Sequence, residues 1–297
     1  MIESLENVII QHLPHFSTED IQVDILRIDL LHPIVSGNKW FKLKYYLEDA
    51  LAQNKNTIAT FGGAYSNHIV ATAYAARGAG LQSIGFIRGE RPVRLSNTLL
   101  NATNYGMDLV FTDRALYRDK ATIIQAEDKH NYYWVMEGGY GQLGSKGAAD
   151  ILRVTNTHNY SHILCAVGTG TMLSGLISAS LPGQEVIGIS VLKNNMTLET
   201  EVLSLLNEKD SIKSFSILHD YHFGGYAKHP PELTGFMRDV WGKENLPTDI
   251  VYTSKLLFAA KELMAANRFY AGARILLIHS GGLQGNTSLP PNTLPFS

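Results

Sequence analysis

The chain has 297 residues, of which 45% are apolar and 18% are charged, a balance typical of a globular protein with a large core. Its formal net charge is -2, so there is no broad electrostatic reason to expect nucleic acid or an anionic membrane as a partner. The single cysteine, Cys165, excludes a disulfide framework and a cysteine-rich zinc site, and it lies in an apolar run that predicts burial.

The N-terminal residues lack the basic stretch and the long apolar core of a secretory signal. No run approaches the length of about 18 apolar residues that a membrane span requires. We therefore expect a cytoplasmic protein that does not cross a membrane.

Strand-like runs alternate with helical patterns along most of the chain. In chain order, the residues predict strands at 21–29, 57–61, 83–87, 108–111, 132–136, 162–167, 185–191 and 274–279. Helices are predicted at 66–77, 94–105, 115–128 and 145–157, from 171 onward, and at 232–242 and 253–266. This alternation predicts an α/β fold of two interleaved, doubly wound domains with mostly parallel sheets. No composition shift marks a linker, and we assign 44–150 to a smaller domain and 1–43 with 151–297 to a larger one.

A lysine pair lies in the segment Ser36-Gly37-Asn38-Lys39-Trp40-Phe41-Lys42, after loop and cap residues. In a helix, Lys39 and Lys42 share one face, and like charges together with partial burial lower the pKa of an amine. A lysine that is more often neutral forms an imine more readily, which makes Lys39 the candidate nucleophile. Lys42 is either a partner for a phosphate, as a point charge, or an ordinary surface lysine.

Two glycines precede a predicted helix in the segment Gly62-Gly63-Ala64-Tyr65-Ser66-Asn67-His68. Paired glycines after a strand allow a sharp turn and a close approach of the backbone to a ligand. Ser66 falls at or near the N-cap, where it is either a capping residue alone or a group that transfers a proton or binds a carboxylate. The free N–H groups of that helix end would hold a substrate carboxylate.

A third glycine-rich segment, Gly168-Thr169-Gly170-Thr171, follows an apolar predicted strand and opens a helix. The backbone N–H groups, the two hydroxyls and the helix dipole all favour a phosphate there. A dinucleotide fingerprint would need a glycine where the chain has Leu173, and no acidic residue ends the next strand. The chain also lacks a Walker A loop.

No metal site is predicted, although the chain has 11 histidines. There is no His-Glu-x-x-His helix, and His219 and His222 would point to opposite faces of an extended run.

A lysine amine and a phosphate cradle are what pyridoxal 5'-phosphate requires from a protein. These segments therefore predict a pyridoxal-phosphate enzyme that acts on a small amino acid.

With these segments in place, the chain resembles the pyridoxal-phosphate enzyme family that includes D-cysteine desulfhydrase and 1-aminocyclopropane-1-carboxylate deaminase. Enzymes of this family have the tryptophan synthase β-like fold, known as fold type II, and the likeness runs from about residue 21 to residue 286. The matching segments are Gly37-Asn38-Lys39-x-x-Lys42-Leu43, Gly63 to His68, Gly168 to Thr171, Phe223-Gly224-Gly225-Tyr226-Ala227, Asp249 to Lys255, and His279-Ser280-Gly281-Gly282.

The resemblance implies how the cofactor would be held. Lys39 would bind it covalently and move the α-proton of the substrate. Asn67 would bond the oxygen of the pyridine ring, and Thr253 would face the ring nitrogen. The phosphate would lie against Lys42 and the segment Gly168, Thr169, Gly170 and Thr171.

The resemblance also implies a substrate side to the site. Ser66, Tyr226 and Tyr252 would line it as catalytic groups, and Ser66, Asn67 and His68 would bind the substrate. The smaller domain would contribute the substrate side and the larger domain would bind the cofactor. The resemblance suggests a homodimer.

The residue at position 253 helps to choose the reaction. The cyclopropane-carboxylate deaminase has a glutamate there, which keeps the pyridine nitrogen protonated, whereas this chain has the neutral Thr253. Ser280 and His68 also differ from the leucine and glutamine of that deaminase. We therefore favour a D-cysteine desulfhydrase-like β-elimination that releases pyruvate, ammonia and sulfide.

Two alternatives stay open. One is 1-aminocyclopropane-1-carboxylate deaminase, which releases 2-oxobutanoate and ammonia. The other is a degenerate pyridoxal-phosphate-binding protein with little turnover, because Phe41 stands where the family often has arginine and the loop before Lys39 is short. The sequence does not determine the chirality or the leaving group of the substrate.

Overall fold

The computed structural model describes residues 5–296, so residues 1–4 and 297 of the predicted larger domain lie outside the description. The strands are β1 (Ile10–His12), β2 (Gln22–Leu26), β3 (Thr57–Gly62), β4 (Gln82–Arg88), β5 (Met107–Thr112), β6 (Tyr133–Val135), β7 (His162–Val167), β8 (Glu185–Ser190), β9 (Phe215–Leu218) and β10 (Arg274–Ile278). The helices are α1 (Asn38–Ala52), α2 (Asn67–Gly78), α3 (Asn97–Asn104), α4 (Lys120–Ala126), α5 (Gln142–Ala149), α6 (Thr171–Ala179), α7 (Leu198–Leu203), α8 (Glu208–Ser211), α9 (Pro231–Glu244) and α10 (Thr253–Ala265).

The strands form two sheets that share one chain. One sheet has the order β1-β2-β10-β7-β8-β9, and the other has the order β5-β4-β3-β6. β1 runs antiparallel to β2, and the other strand pairs found within residues 5–296 are parallel. The prediction of an α/β fold with mostly parallel sheets is confirmed.

The two edge strands of the larger sheet, β1 and β9, were not predicted from the sequence. β1 has only three residues and alternates exposed and half-buried positions, and β9 is half-buried along its length. An edge strand without a fully buried face lacks the apolar signal on which the other strands were predicted. The predicted helix at 115–128 is a 3-10 turn, Leu116–Arg118, followed by α4, whose N-cap Asp119 accepts a hydrogen bond from Thr122 N.

A continuous cluster of buried apolar side chains joins the two sheets. Leu26 and Ile163 of the larger sheet and Ile58 and Val135 of the smaller one belong to it, with side chains from α1, α5 and α6 between them. The four strands β3 to β6 fall between residues 57 and 135, inside the predicted smaller domain. The domain limits at 44 and 150 themselves stay a prediction, and α1 runs through the first of them.

Glycine lets the helices between the sheets approach closely. A Cβ atom built on Gly147 of α5 would lie 2.0 Å from the carbonyl oxygen of Phe41 in α1. One built on Gly175 of α6 would lie 2.4 Å from the carbonyl oxygen of Ser145 in α5. Backbone-to-backbone contact therefore sets the distance between α1, which carries the candidate lysines, and α6, which follows the predicted phosphate loop.

No helix within residues 5–296 is both long enough and apolar enough to cross a membrane.

Candidate active site

The predicted site residues gather where strand ends meet helix beginnings, at the position expected for a ligand in an open α/β sheet. Two adjoining cavities lie there, and both are lined by Asn38, Lys39, Tyr252 and Ser280. One extends along the loop that precedes α6 and the other extends toward Asn67 and Gly282. A more open depression elsewhere, between His158 and Gln184, is lined by none of the predicted site residues.

The N-terminus of α1 is attached to the end of β10. Its N-cap, Gly37, has φ of +61°, and a Cβ atom there would lie 2.0 Å from the carbonyl oxygen of Ser280. Asn38 donates two hydrogen bonds to that same carbonyl, from its backbone N at 3.1 Å and from Nδ2 at 2.9 Å. Only glycine combines this φ with this close approach. Gly37 therefore fixes the position of the start of α1 and, with it, the position of Lys39.

The two candidate lysines of α1 are partly or fully withdrawn from water. Lys39 is half-buried and lines both cavities, Lys42 is 5% exposed, and Lys39 Nζ donates to Asn38 Oδ1 at 3.3 Å. Burial lowers the pKa of Lys39 to about 8. Burial also lowers the pKa of Lys42 well below its usual value, and the charge of Lys39 lowers it further.

This order of causes corrects the sequence-based argument, which named the like-charge effect before burial. Desolvation is the larger cause, and the like-charge effect falls on Lys42 rather than on Lys39. The result for Lys39 is nevertheless an amine that is about half neutral at pH 8, whereas an ordinary lysine is almost entirely protonated there.

Helix α2 begins beside the same cavities. Ser66 is its N-cap, in an extended conformation, but its side chain makes no capping hydrogen bond. Ser66 Oγ and the N–H groups of the first turn are therefore not committed to each other. The next residue, Asn67, donates from Nδ2 to the carbonyl oxygen of Gly282 at 3.4 Å, while its Oδ1 is buried and has no hydrogen-bond partner.

His68 lies inside the protein rather than at the surface of the cleft. Its side chain is 2% exposed, and Nε2 is 2.8 Å from the hydroxyl of Thr60. Burial lowers its pKa well below the usual value, and Lys39 and Lys42 add to the effect. The predicted substrate contact of His68 stays a prediction, with its backbone N–H in the first turn of α2.

The predicted phosphate loop leads into α6. Gly168 and Thr169 follow β7, and Gly170 is the N-cap with φ of +78° and no side-chain cap. The hydroxyls of Thr169 and Thr171 lie 3.1 Å apart. The first-turn N–H groups of α6 thus face the cavity that Lys42 also lines, an arrangement suited to a phosphate.

Helix α10 begins with the residues predicted to face the cofactor. The buried carboxylate of Asp249 accepts hydrogen bonds from the backbone N–H groups of Val251, Tyr252 and Thr253, each at 2.8 Å. These bonds fix the first turn of α10. Thr253 is fully buried, and its Oγ1 has no hydrogen-bond partner.

Tyr252 lines both cavities, and its ring packs against the ring of Tyr226, which is 43% exposed. The ring centroids are 6.2 Å apart and the rings are almost perpendicular. Burial raises the pKa of both hydroxyls, that of Tyr252 well above its usual value. A tyrosine hydroxyl with its ordinary pKa is already protonated near neutral pH, so both can donate hydrogen bonds there.

Two positioning residues were missed by the sequence-based prediction. Asp249 is one, and Lys255 is the other, because its fully buried Nζ donates to the carbonyl oxygens of His222 at 2.9 Å and Gly225 at 2.7 Å. Lys255 thereby holds the loop that carries Tyr226. Both residues lie in a matched segment, but a lysine in the first turn of a helix gives no sign of burial in the sequence.

These groups fit pyridoxal phosphate. A half-buried amine with a lowered pKa, Lys39, lines one cavity with an uncapped helix N-terminus suited to a phosphate and the adjoining cavity with Asn67, whose buried Oδ1 has no hydrogen-bond partner. A buried polar atom without a partner is costly, so one beside the cleft indicates a polar ligand. Residues 5–296 contain no group of three or more His, Cys, Asp or Glu side chains that could hold a metal ion.

Comparison with known proteins agrees with this geometry. The family described as pyridoxal-phosphate dependent enzyme matches residues 9–281 of the chain. The chain belongs to this family. Its membership confirms the predicted cofactor and, with the structural neighbours, the predicted fold type.

Similar proteins carry related names. A Pyrococcus horikoshii protein named "Putative 1-aminocyclopropane-1-carboxylate deaminase" is 29% identical over 294 residues, which cover 93% of this chain and 89% of the relative. A Thermotoga maritima protein of the same name is 29% identical over 304 residues, which cover 95% of this chain and 96% of the relative. The crystal structure of an ACC deaminase homologue has a TM-score of 0.81 at 27% identity, covering 94% of this chain and 90% of that one.

The predicted resemblance to the group containing 1-aminocyclopropane-1-carboxylate deaminase is therefore confirmed. More distant proteins with a similar fold are also recognisable. A hydrogen sulfide-producing enzyme from Fusobacterium nucleatum has a TM-score of 0.68 at 13% identity, covering 96% of this chain and 99% of that one, a likeness that concerns the fold alone.

Proposed function

We propose that this pyridoxal-phosphate-dependent enzyme is a lyase that removes ammonia from a small amino acid. The observation that carries the proposal is the position of Lys39, an amine with a pKa lowered to about 8, which lines one cavity with the N-terminus of α6 and the adjoining cavity with Asn67. Bound there, pyridoxal phosphate supplies an aldehyde for an amine and a ring that withdraws electrons from the substrate α-carbon.

The protein's own groups would transfer the proton, bind the substrate and hold the cofactor. Lys39 Nζ, neutral part of the time near neutral pH, takes up the α-proton and returns it. The backbone N–H groups of Asn67 and His68, at the start of α2, and the Ser66 hydroxyl would hold the substrate carboxylate. Asn67 and Thr253, whose buried side-chain oxygens have no hydrogen-bond partner, would hold the ring of the cofactor.

The tyrosine pair would serve the part of the substrate that leaves. Tyr226 and Tyr252 are protonated near neutral pH, so either hydroxyl can donate a hydrogen bond or a proton to a departing group. Lys255 holds the backbone at Gly225, next to Tyr226, and Asp249 holds the backbone N–H of Tyr252.

Two reactions are compatible with this arrangement. The names of the relatives favour 1-aminocyclopropane-1-carboxylate deamination, the alternative of the sequence-based prediction, over the D-cysteine β-elimination that it preferred. Thr253 favours β-elimination, because a neutral hydroxyl does not keep the pyridine nitrogen protonated as a carboxylate does. A protein that binds the cofactor with little turnover is the third possibility.

The experiment begins with the visible absorbance of the purified protein supplied with pyridoxal phosphate. Borohydride reduction and peptide mapping should then place the label on Lys39, and Lys39→Ala should prevent it. Lys255 is the internal competitor, since burial lowers its pKa to about 8 as well. A protein that stays colourless, or a label on Lys255, contradicts the proposed site.

Turnover then separates the reactions. Sulfide and pyruvate from D-cysteine support β-elimination, whereas 2-oxobutanoate from the cyclopropane amino acid supports the deaminase. Cofactor binding without turnover of these or other small amino acids supports the third possibility.

The homodimer and the cytoplasmic location stay predictions. Sedimentation equilibrium of the purified protein tests the homodimer.

A further inference from the structure

The hydrogen bonds of His68 specify which ring nitrogen carries its hydrogen. The hydroxyl of the fully buried Thr60 donates its single hydrogen to the carbonyl oxygen of Val135, at 2.7 Å. The same oxygen lies 2.8 Å from His68 Nε2 and can only accept there. His68 therefore carries its hydrogen on Nε2, and Nδ1 presents a lone pair.

The surroundings keep the His68 ring neutral. Nδ1 is buried without a hydrogen-bond partner, and Lys39 and Lys42 add to burial in lowering the pKa of the ring. A neutral imidazole has one N–H group and one lone pair, and the contact with Thr60 assigns the lone pair to Nδ1.

Lys42 has few hydrogen-bond acceptors, and His68 Nδ1 is an acceptor without a donor. The buried amine of Lys42 can donate hydrogen bonds, three of them when it is protonated, but within residues 5–296 it has a single hydrogen bond, to the carbonyl oxygen of Gly138 at the long distance of 3.5 Å. Gly139 brings the two side chains together, because a Cβ atom built on it would lie 3.6 Å from Lys42 Cδ and 3.8 Å from His68 Cε1. His68, whose Nδ1 is an acceptor without a donor, and Lys42, whose Nζ has few acceptors, therefore both lie beside Gly139.

We propose that His68 is a positioning residue for Lys42: when a bound phosphate at Gly168–Thr171 favours the protonated Lys42 amine, His68 Nδ1 accepts a hydrogen bond from Lys42 Nζ and directs it at the phosphate. The inference rests on the proposed function in that a phosphate must bind there. Thr60 sets the tautomer, His68 orients the ammonium, and Lys42 touches the phosphate. The histidine side chain would then act through Lys42 and would not touch the substrate.

The tautomer is tested first, on cofactor-free wild-type protein with ¹⁵N-labelled histidine. Nitrogen NMR should show His68 protonated on Nε2 and unprotonated on Nδ1, with the His68→Gln spectrum used for assignment. A signal from a protonated Nδ1 overturns the inference. This measurement does not depend on catalysis or on cofactor binding.

The second test compares the affinity of pyridoxal phosphate with that of pyridoxal, which lacks the phosphate. His68→Leu should weaken pyridoxal phosphate about tenfold more than pyridoxal, since it removes a hydrogen bond to a charged group. His68→Gln, which keeps an acceptor, should restore most of the loss. In Lys42→Met, adding His68→Leu should cause no further phosphate-specific loss.

The outcomes separate this inference from the proposed function. Equal losses for both ligands in His68→Leu, or independent effects of the two substitutions, show a merely structural histidine and overturn the inference while the enzyme remains a pyridoxal-phosphate protein. Failure of the wild-type protein to bind pyridoxal phosphate overturns the proposed function instead.

Discussion

The contact between α1 and α5 allows a quantitative prediction for Gly147→Ala. The new Cβ atom would lie 2.0 Å from the carbonyl oxygen and 2.8 Å from the carbonyl carbon of Phe41, and 3.2 Å from Lys42 Cα. Ordinary contact of a Cβ atom begins at 3.4 Å, so the shortest of these distances must grow by 1.4 Å (3.4 minus 2.0). All three atoms belong to the backbone, and no side-chain rotation can relieve the contact.

We expect Gly147→Ala to lower the free energy of unfolding by about 3 kcal/mol, the upper end of the usual cost of overpacking. The higher helix propensity of alanine offsets at most about 1 kcal/mol of this. Because α1 must move away from α5, the substitution should also displace Lys39 and Lys42 and weaken the binding of pyridoxal phosphate.

Urea denaturation of the cofactor-free protein, followed by circular dichroism, measures the first effect, and titration with pyridoxal phosphate measures the second. Gly235→Ala is the matched control, because Gly235 is exposed within α9 and a Cβ atom there would meet nothing within 4 Å. It should raise stability by about 0.5–1 kcal/mol. A Gly147→Ala protein as stable as the wild type, or destabilised with unchanged cofactor affinity, would refute the argument.

Three further predictions concern the site. The neutral amine of Lys39 is the nucleophile and its pKa is about 8, so uptake of pyridoxal phosphate by the cofactor-free protein, followed by stopped-flow absorbance, should accelerate with rising pH and level off above pH 8. Thr253→Val removes a buried hydroxyl without a partner, so it should stabilise the cofactor-free protein to urea by about 1 kcal/mol while weakening cofactor binding. Lys255→Met releases two carbonyl groups of the loop before Tyr226, and steady-state assays should show kcat lowered about tenfold with an unchanged cofactor spectrum.

Each of these predictions has a contradicting result. Cofactor uptake that keeps accelerating toward pH 10.5 means that Lys39 has the ordinary lysine pKa. A destabilised Thr253→Val protein means that the hydroxyl has a partner. Lys261→Met, which alters an exposed lysine of the same helix, is the control for Lys255→Met, and equal effects of the two on kcat rule out a specific role for Lys255.

Many local features were predictable because they depend on residues close together in the chain. The strand at 162–167 was predicted with its observed limits, since a fully buried strand is a continuous apolar run bounded by turn residues. The helix starts after Ser66 and Gly170 were predicted from cap and glycine chemistry alone. The edge strands β1 and β9, without a fully buried face, were not.

The amino-acid sequence by itself determined the alternation of strands and helices, the glycine loops at their junctions and the identity of the cofactor, because each follows from short-range pattern and side-chain chemistry. Only the tertiary structure decided that burial outweighs like charge at Lys39 and Lys42 and that His68 points its Nε2 to Thr60. It also decided that Lys255 holds a loop about 30 residues away in the chain. Desolvation and hydrogen-bond partners are set by segments distant in sequence, and no local pattern records which of them will meet.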